Sequence, residues 1–424
     1  MLRRRIPSTN IWGLVFALQP SSSGLISLHS CRPSIQALYW SNWSHWFHLS
    51  RSTYLERAEI SLQKITSRQI VIIGTIYTLV TTLITVPTQM VYYARQHVGI
   101  SLIVSAAVVL FGIWMITKVL GRFPKQDLFQ ALINRYPVGG RITSALYVLF
   151  FFYVAVRDLR LVTDFTNVVL LPTTPLGVIA FLVMISAVFL VYGGVEVLGR
   201  ATEIYGILLL LLLLSIPFVL FGEYDIQFAR PFLEFNTPGI LIGSWFVLPY
   251  LGEIIGIAFM FTNGKLRFKH ASLGLLLGTL AMLTLLVQSV LILGIPIMSR
   301  MLYPTYELVR QIRVTDFLDR FDLPIVGIWY PAMIAKIGYS IFIVCNGIKR
   351  VVPESSGQRL VYPVGLLIFV CSIWFFESSI QLFNLNRVWP MVAVCFLLLI
   401  PAVLLVAMRP KELTSGEDHE KGAG

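Results

Sequence analysis

The chain has 424 residues, 56% hydrophobic and 13% charged, with a mean hydropathy of +0.78. Soluble domains carry about 25% charged residues, so this composition excludes a soluble globular protein and points to a polytopic membrane protein. The formal net charge of +12 is then a topology signal, because basic residues collect in cytoplasmic loops, and no nucleic-acid partner is expected.

Residues 1–58 differ from the remainder of the chain. They hold Trp12, Trp40, Trp43 and Trp46, and no acidic residue precedes Glu56. Arg3, Arg4 and Arg5 before a short apolar run resemble a signal peptide only faintly, and no small-residue cleavage site comes after it. This stretch reads as an atypical extension, either a mis-assigned start or a disordered segment. A membrane domain is expected over 59–409 and a disordered cytoplasmic tail over 410–424, where charge and glycine replace apolar residues.

Crossing about 30 Å of hydrocarbon takes roughly 20 apolar residues in a helix. Ten such runs are predicted, at 70–93, 98–119, 142–167, 176–194, 203–221, 240–262, 271–297, 323–348, 360–376 and 388–408; they are called spans 1 to 10 below. The loop after span 2 carries Arg122, Lys125, Arg135 and Arg141, and the loop after span 6 carries Lys265, Arg267 and Lys269. With Arg200 after span 4 and Lys349, Arg350 and Arg359 after span 8, both termini are expected in the cytoplasm. Cys345, Cys371 and Cys395 fall in apolar runs at no metal-ligand spacing and read as buried thiols; Cys31 lies in the extension. Between spans 7 and 8, residues 303–322 (YPTYELVRQIRVTDFLDRFD) place Leu308, Ile312, Phe317, Leu318 and Phe321 on one helical face and Arg313, Asp316 and Arg320 on another. That pattern predicts a surface helix on the outer side, which either packs on the bundle or holds a partner.

Two spans carry breaks. Span 6 contains Pro249, Gly252 and Glu253 near its middle, and span 1 carries Thr81, Thr82, Thr85 and Pro87 in its second half. Interrupted helices at corresponding places in two five-helix halves point to a transporter-like inverted repeat with the ligand at the breaks. Unwound backbone at membrane depth must be satisfied by a ligand, water or side chains. Thr81, Thr82, Thr85, Tyr250, Leu251 and Gly252 are therefore the candidate ligand-binding residues. Their polarity suits an amino acid, a sugar or a nucleoside. A plain proline kink re-satisfied by threonine hydroxyls is the alternative for span 1.

Charged side chains within a span usually face the bundle interior and pair. Glu253 and Lys336 are the clear cases, and they are assigned to coupling or gating. Lys336 either pairs with Glu253 or holds a cation-like position in the core. Arg157, Asp158, Arg160 and Asp164 in span 3 read as a structural ion-pair set more than as ligand contacts. No Walker-type phosphate loop, HExxH or GxSxG occurs, so neither an enzyme nor a cofactor is expected.

Several segments resemble the spore germination permeases, the B-type subunits of GerA-type nutrient germinant receptors. They are the proline-ended span 1, LLPTTPLGV (170–178), GVEVLGRATEI (194–204), PYLGE (249–253) and the 303–322 segment. The resemblance covers about 61–410. It implies membership of the amino acid–polyamine–organocation superfamily, with a LeuT-type five-plus-five inverted repeat. It also implies a germinant sensor in the spore inner membrane, surrounded by lipid and working with a membrane A subunit and a C lipoprotein. The implied ligand is a small nutrient, usually an amino acid, and an ordinary secondary transporter of an amino acid or amine is the alternative. Where the superfamily often shows a glycine-x-glycine turn in span 1, this chain has Val80 and Thr82, which leaves the backbone less free to open.

Overall fold

The computed structural model describes residues 65–408 except 124–125, 232–233, 261–265, 312–321, 353–356 and 358. The expectations for 1–58 and 410–424, and for Ile312, Arg313, Asp316, Phe317, Leu318, Arg320 and Phe321, lie outside the described residues. Every regular element among the described residues is helical.

Seven helices are long and apolar enough to cross a membrane, and the bent pair Val361–Trp374 and Ser379–Leu385 makes an eighth. Leu176–Tyr192 is a shorter apolar helix. Pro137–Phe165 is 29 residues long and carries the span 3 charges. With these two, the described residues hold all ten spans. Large apolar side chains such as Phe111, Phe189, Leu211 and Val403 are exposed on their outer faces, as lipid contact requires. This is a multi-pass membrane protein.

The packing pairs reveal the repeat. Span 1 packs on span 7, and span 6 packs on span 2; span 8 packs on span 4, and span 3 packs on span 9. Span 5 packs on span 1, and span 10 on span 6. Adding five to each member of one pair gives the other, so these pairs recur in the two halves; the span 5–span 8 interface has no counterpart of similar extent between spans 10 and 3 among the described residues. Spans 3 and 8, which correspond to each other, form one of the most extensive interfaces. The span 1–span 7 contact is backbone-close: a Cβ on Gly274 would stand 2.6 Å from the Val71 carbonyl oxygen, and Thr75 donates to the Gly274 carbonyl at 3.2 Å. Small residues let membrane helices approach in this way.

The breaks differ from expectation in detail. Span 1 is Ser67–Leu79, Thr82–Thr85 and Pro87–Ala94, interrupted at Val80–Thr81 and again at Val86. Span 6 runs through Pro249 as a regular helix, Thr237–Gly252, and only then tightens into a 3-10 helix, Glu253–Phe259. Proline removes one hydrogen bond, but the geometry changes at Gly252. A Cβ there would collide with the Leu397 side chain of span 10. Span 5 begins at Val195, well before the predicted 203, because Gly194 turns the chain at φ +88°. Cys345 and Cys371 are buried, but Cys395 is exposed on span 10. The expectation of three buried thiols is corrected there, because one face of an outer helix looks away from the bundle.

Two tethers frame the centre. Between spans 2 and 3, Asp127 caps the helix Leu128–Arg135 by accepting from the Gln130 amide at 2.7 Å. Its other oxygen lies 3.3 Å from Arg350 Nη2 at the end of span 8. Asn346 donates to the Phe259 carbonyl at 3.0 Å, holding the end of span 6 beside Asp127. On the other tether, the helix Pro304–Arg310 buries Tyr303, Tyr306, Leu308 and Val309. This part of 303–322 packs on the bundle. Phe165 receives Tyr303 and Tyr306 edge-on, with ring centroids 5.1 and 5.5 Å away.

Candidate functional site

The two breaks meet at a closed ring of four charges. Arg157 Nη2 lies 2.6 Å from Asp158 Oδ1 and 2.6 Å from Glu253 Oε1. Lys336 Nζ lies 2.6 Å from Glu253 Oε2 and 3.0 Å from Asp158 Oδ2. All four side chains are at most 2% exposed. A single ion buried in hydrocarbon costs several kcal/mol. Here two carboxylates and two cations alternate, so the formal charge sums to zero and each ion has two opposite neighbours.

Each member comes from a segment bent or spaced to deliver it. Glu253 is the first residue after span 6 tightens. Lys336 sits near the middle of the 30-residue span 8, too deep for its ammonium to reach either surface. Its Nζ also donates to Thr81 Oγ1 at the first break of span 1. Arg157 and Asp158 are adjacent on span 3, and the guanidinium folds back to grip its neighbour through Nε at 3.2 Å. The ring thus joins spans 1, 3, 6 and 8.

Aromatic faces surround the cations. The Arg157 guanidinium lies 4.6 Å from the Tyr250 ring centroid and 5.5 Å from that of Trp389. Lys336 Nζ lies 5.8 Å from the Tyr77 ring. These are cation–π distances. Tyr250 donates its hydroxyl to Asn386 Oδ1 at 2.5 Å, and Asn386 Nδ2 donates to Gln89 Oε1 at 3.2 Å. That chain links span 6, the turn between spans 9 and 10, and the last piece of span 1.

The span 1 backbone is largely satisfied. Thr82 donates to the Thr78 carbonyl, and Thr85 donates to the Thr81 carbonyl at 2.8 Å. Such bonds to the residue four earlier bend helices. The Val80 carbonyl receives Trp329 Nε1 of span 8 at 3.0 Å. Of the three candidate threonines, only Thr81 turns its hydroxyl to the charge ring. Gly252 packs against Leu397, and Leu251 is fully buried.

The span 3 charges divide. Arg157 and Asp158 join Glu253 and Lys336. Arg160 instead pairs with Asp164 at 2.9 Å and donates to the Phe376 carbonyl at 2.8 Å, which pins span 3 to the end of span 9. All four make ion pairs, but residues 157/158 and 160/164 face different neighbours. Sequence reasoning did not single out Trp389, Tyr153, Asn386 or Gln89. Aromatic and amide residues are common near span ends, and nothing local distinguishes these.

A ten-span, all-helical membrane protein with a five-plus-five inverted repeat and a neutral ring of buried charge at its two breaks belongs to the transporter-fold class. Its fold is like that of MhsT in complex with L-phenylalanine, with a TM-score of 0.55 over 82% of this chain and 96% of that chain at 14% identity. Mhp1, a nucleobase-cation-symport-1 family transporter, is similar over 81% of this chain and 78% of that chain, with a TM-score of 0.52 at 12% identity. Within that class the chain belongs to the spore germination protein family, whose model matches residues 64–380. YfkT of Bacillus subtilis (strain 168) is 29% identical, covering 83% of this chain and 98% of its own length. Spore germination protein KB of the same organism is 24% identical, covering 87% of this chain and all of its own length.

Proposed function

We propose that the chain is the membrane subunit of a spore nutrient-germinant receptor. It binds a small nutrient, an amino acid by preference, where spans 1 and 6 break, and it triggers germination together with a membrane A subunit and a C lipoprotein. It resides in the spore inner membrane with both termini in the cytoplasm. The observation that carries the reading is the charge ring, which couples Thr81 and Glu253, one residue from each break, to spans 3 and 8. Family membership supports the germination context, and the ligand-bound MhsT fold supports a central small-molecule site. Thr81, Tyr250 and the backbone near Gly252 contact the ligand, Thr82, Thr85 and Leu251 hold the broken segments beside it, and Glu253 and Lys336 transmit occupancy.

A ligand shifts a conformational equilibrium only by its difference in affinity for the two states. Rearranging a neutral four-charge ring offers such a difference, because any partner withdrawn leaves a buried ion uncompensated. Spores lacking the chain, challenged with a panel of amino acids, sugars and nucleosides, lose the response to at least one nutrient. An unchanged germination response with lost uptake of a labelled solute overturns the receptor reading in favour of secondary transport, which the fold alone also permits.

A further inference from the structure

Three buried hydrogen-bond donors on neighbouring side chains beside the charge ring have no partner among the described residues. Arg157 uses Nε and Nη2 on carboxylates, but its Nη1 is buried and has no hydrogen-bond partner among the described residues. Trp389 Nε1 and the Tyr153 hydroxyl are buried and unpartnered in the same way. The three side chains are neighbours through the Trp389 ring. The Tyr153 and Trp389 ring centroids are 4.6 Å apart, and the Arg157 guanidinium carbon is 5.5 Å from the Trp389 ring. Arg157 is 2% exposed and Trp389 is 6% exposed. Leaving a buried donor unmade costs about 1–3 kcal/mol, and more when it is charged, so three on adjacent side chains describe a place suited to an acceptor.

We infer that Arg157 Nη1, Trp389 Nε1 and the Tyr153 hydroxyl form a carboxylate-binding subsite between spans 3 and 10. With Nε and Nη2 committed to Asp158 and Glu253, Nη1 still offers a carboxylate one charge-assisted bond. An indole N–H and a phenol O–H beside it supply two further bonds to the same pair of oxygens. The breaks themselves are poorly suited to an anion. The start of the tightened part of span 6 already carries the Glu253 carboxylate, and Asp158 lies across the ring, so an anion there meets two like charges. The nutrient's acid group therefore lies on the span 3–span 10 side, against the outer face of Arg157, with the rest of the molecule directed to the Tyr250 face of the site. This rests on reading the charged core as a ligand site, and it narrows the ligand to molecules that carry a carboxylate.

The test uses the purified full chain in lipid nanodiscs and trifluoroacetate as probe, followed by fluorine NMR. Saturable line broadening is expected in the parent, with trifluoroethanol failing to compete. Arg157→Lys weakens the probe about tenfold or more, the effect of losing one charge-assisted bond. Arg157→Lys also disturbs the ion pairs, so Trp389→Phe and Tyr153→Phe are the independent variants. They keep the aromatic contacts, touch no ion pair and weaken the probe by about threefold to tenfold each. Broadening that does not saturate, or that is unchanged in Trp389→Phe and Arg157→Lys, shows general attraction to a basic protein and overturns the subsite. The nutrient panel separates the two readings. A nutrient whose affinity is undiminished in Trp389→Phe and Arg157→Lys removes the subsite and leaves the receptor standing. Trp389-dependent probe binding with no nutrient response keeps the subsite and removes the receptor.

Discussion

Lys336 Nζ stands 2.6 Å from Glu253 Oε2, joining the middle of span 8 to the point where span 6 tightens. The contact closes a ring in which each ion has two opposite partners, so the members should not act independently. Lys336→Met removes one cation and leaves Asp158 and Glu253 sharing Arg157. A loss of about 3–5 kcal/mol is expected from an uncompensated buried charge. Glu253→Gln added to Lys336→Met should recover part of that loss, with a coupling of about 0.5–3 kcal/mol. Unfolding of the detergent-purified single and double variants measures it. Strictly additive losses would show that the pair does not stabilise the fold.

The Val80 carbonyl at the first break of span 1 depends on a side chain from span 8. Trp329→Phe retains the edge-on contact with Phe165, at 5.2 Å between centroids, but removes the N–H that the carbonyl accepts. A destabilisation of about 1–3 kcal/mol is expected. Faster amide exchange should be confined to residues around 80–85. Unchanged exchange there would mean that span 1 holds its break without help.

Gly252 stands where the helix type changes, and span 10 leaves no room there for a side chain. Gly252→Ala drives a methyl into the buried Leu397 and should cost about 1–3 kcal/mol by overpacking. Leu397→Ala alone opens a cavity, at a cost of about 2–5 kcal/mol. In combination the two should cost clearly less than their sum. The thermal midpoints of the three variants decide it.

Burial pushes the Asp127 carboxyl above the ordinary aspartate range, against the opposing pull of the Gln130 amide and Arg350. An acid with a raised folded-state value binds more protons folded than unfolded. Its contribution to stability therefore falls as pH rises from the ordinary range through the raised value. Asp127→Asn removes this slope. Between pH about 4 and about 7, the stability of the parent minus that of the variant should decline with pH. A difference that rises with pH would contradict the assignment.

Much of the architecture is legible in the order of residues. Hydrocarbon tolerates no unsatisfied backbone, so each crossing must be a predominantly apolar helix, and such runs are countable along the chain. A carboxylate or ammonium in the middle of a run is equally conspicuous, which is why Glu253 and Lys336 stand out in the bare order of residues. Boundaries are less legible. Pro249 is the loudest local signal in span 6, yet the helix passes through it and changes at Gly252, because the deciding contact is with Leu397, some 145 residues away along the chain.

What the sequence alone determined is the set of charges that must be paired and the ten segments that carry them, since both follow from the cost of polar groups in lipid. What only the tertiary structure decided is which charge pairs with which. Arg157 and Arg160 lie three residues apart on one helix with similar neighbours in sequence. Small differences in facing direction send one to Glu253 and the other to Asp164 and the span 9 carbonyls. The same facing brings Trp389 and Tyr153 to the free side of Arg157, a meeting that no local pattern encodes, because it depends on where spans 3 and 10 cross.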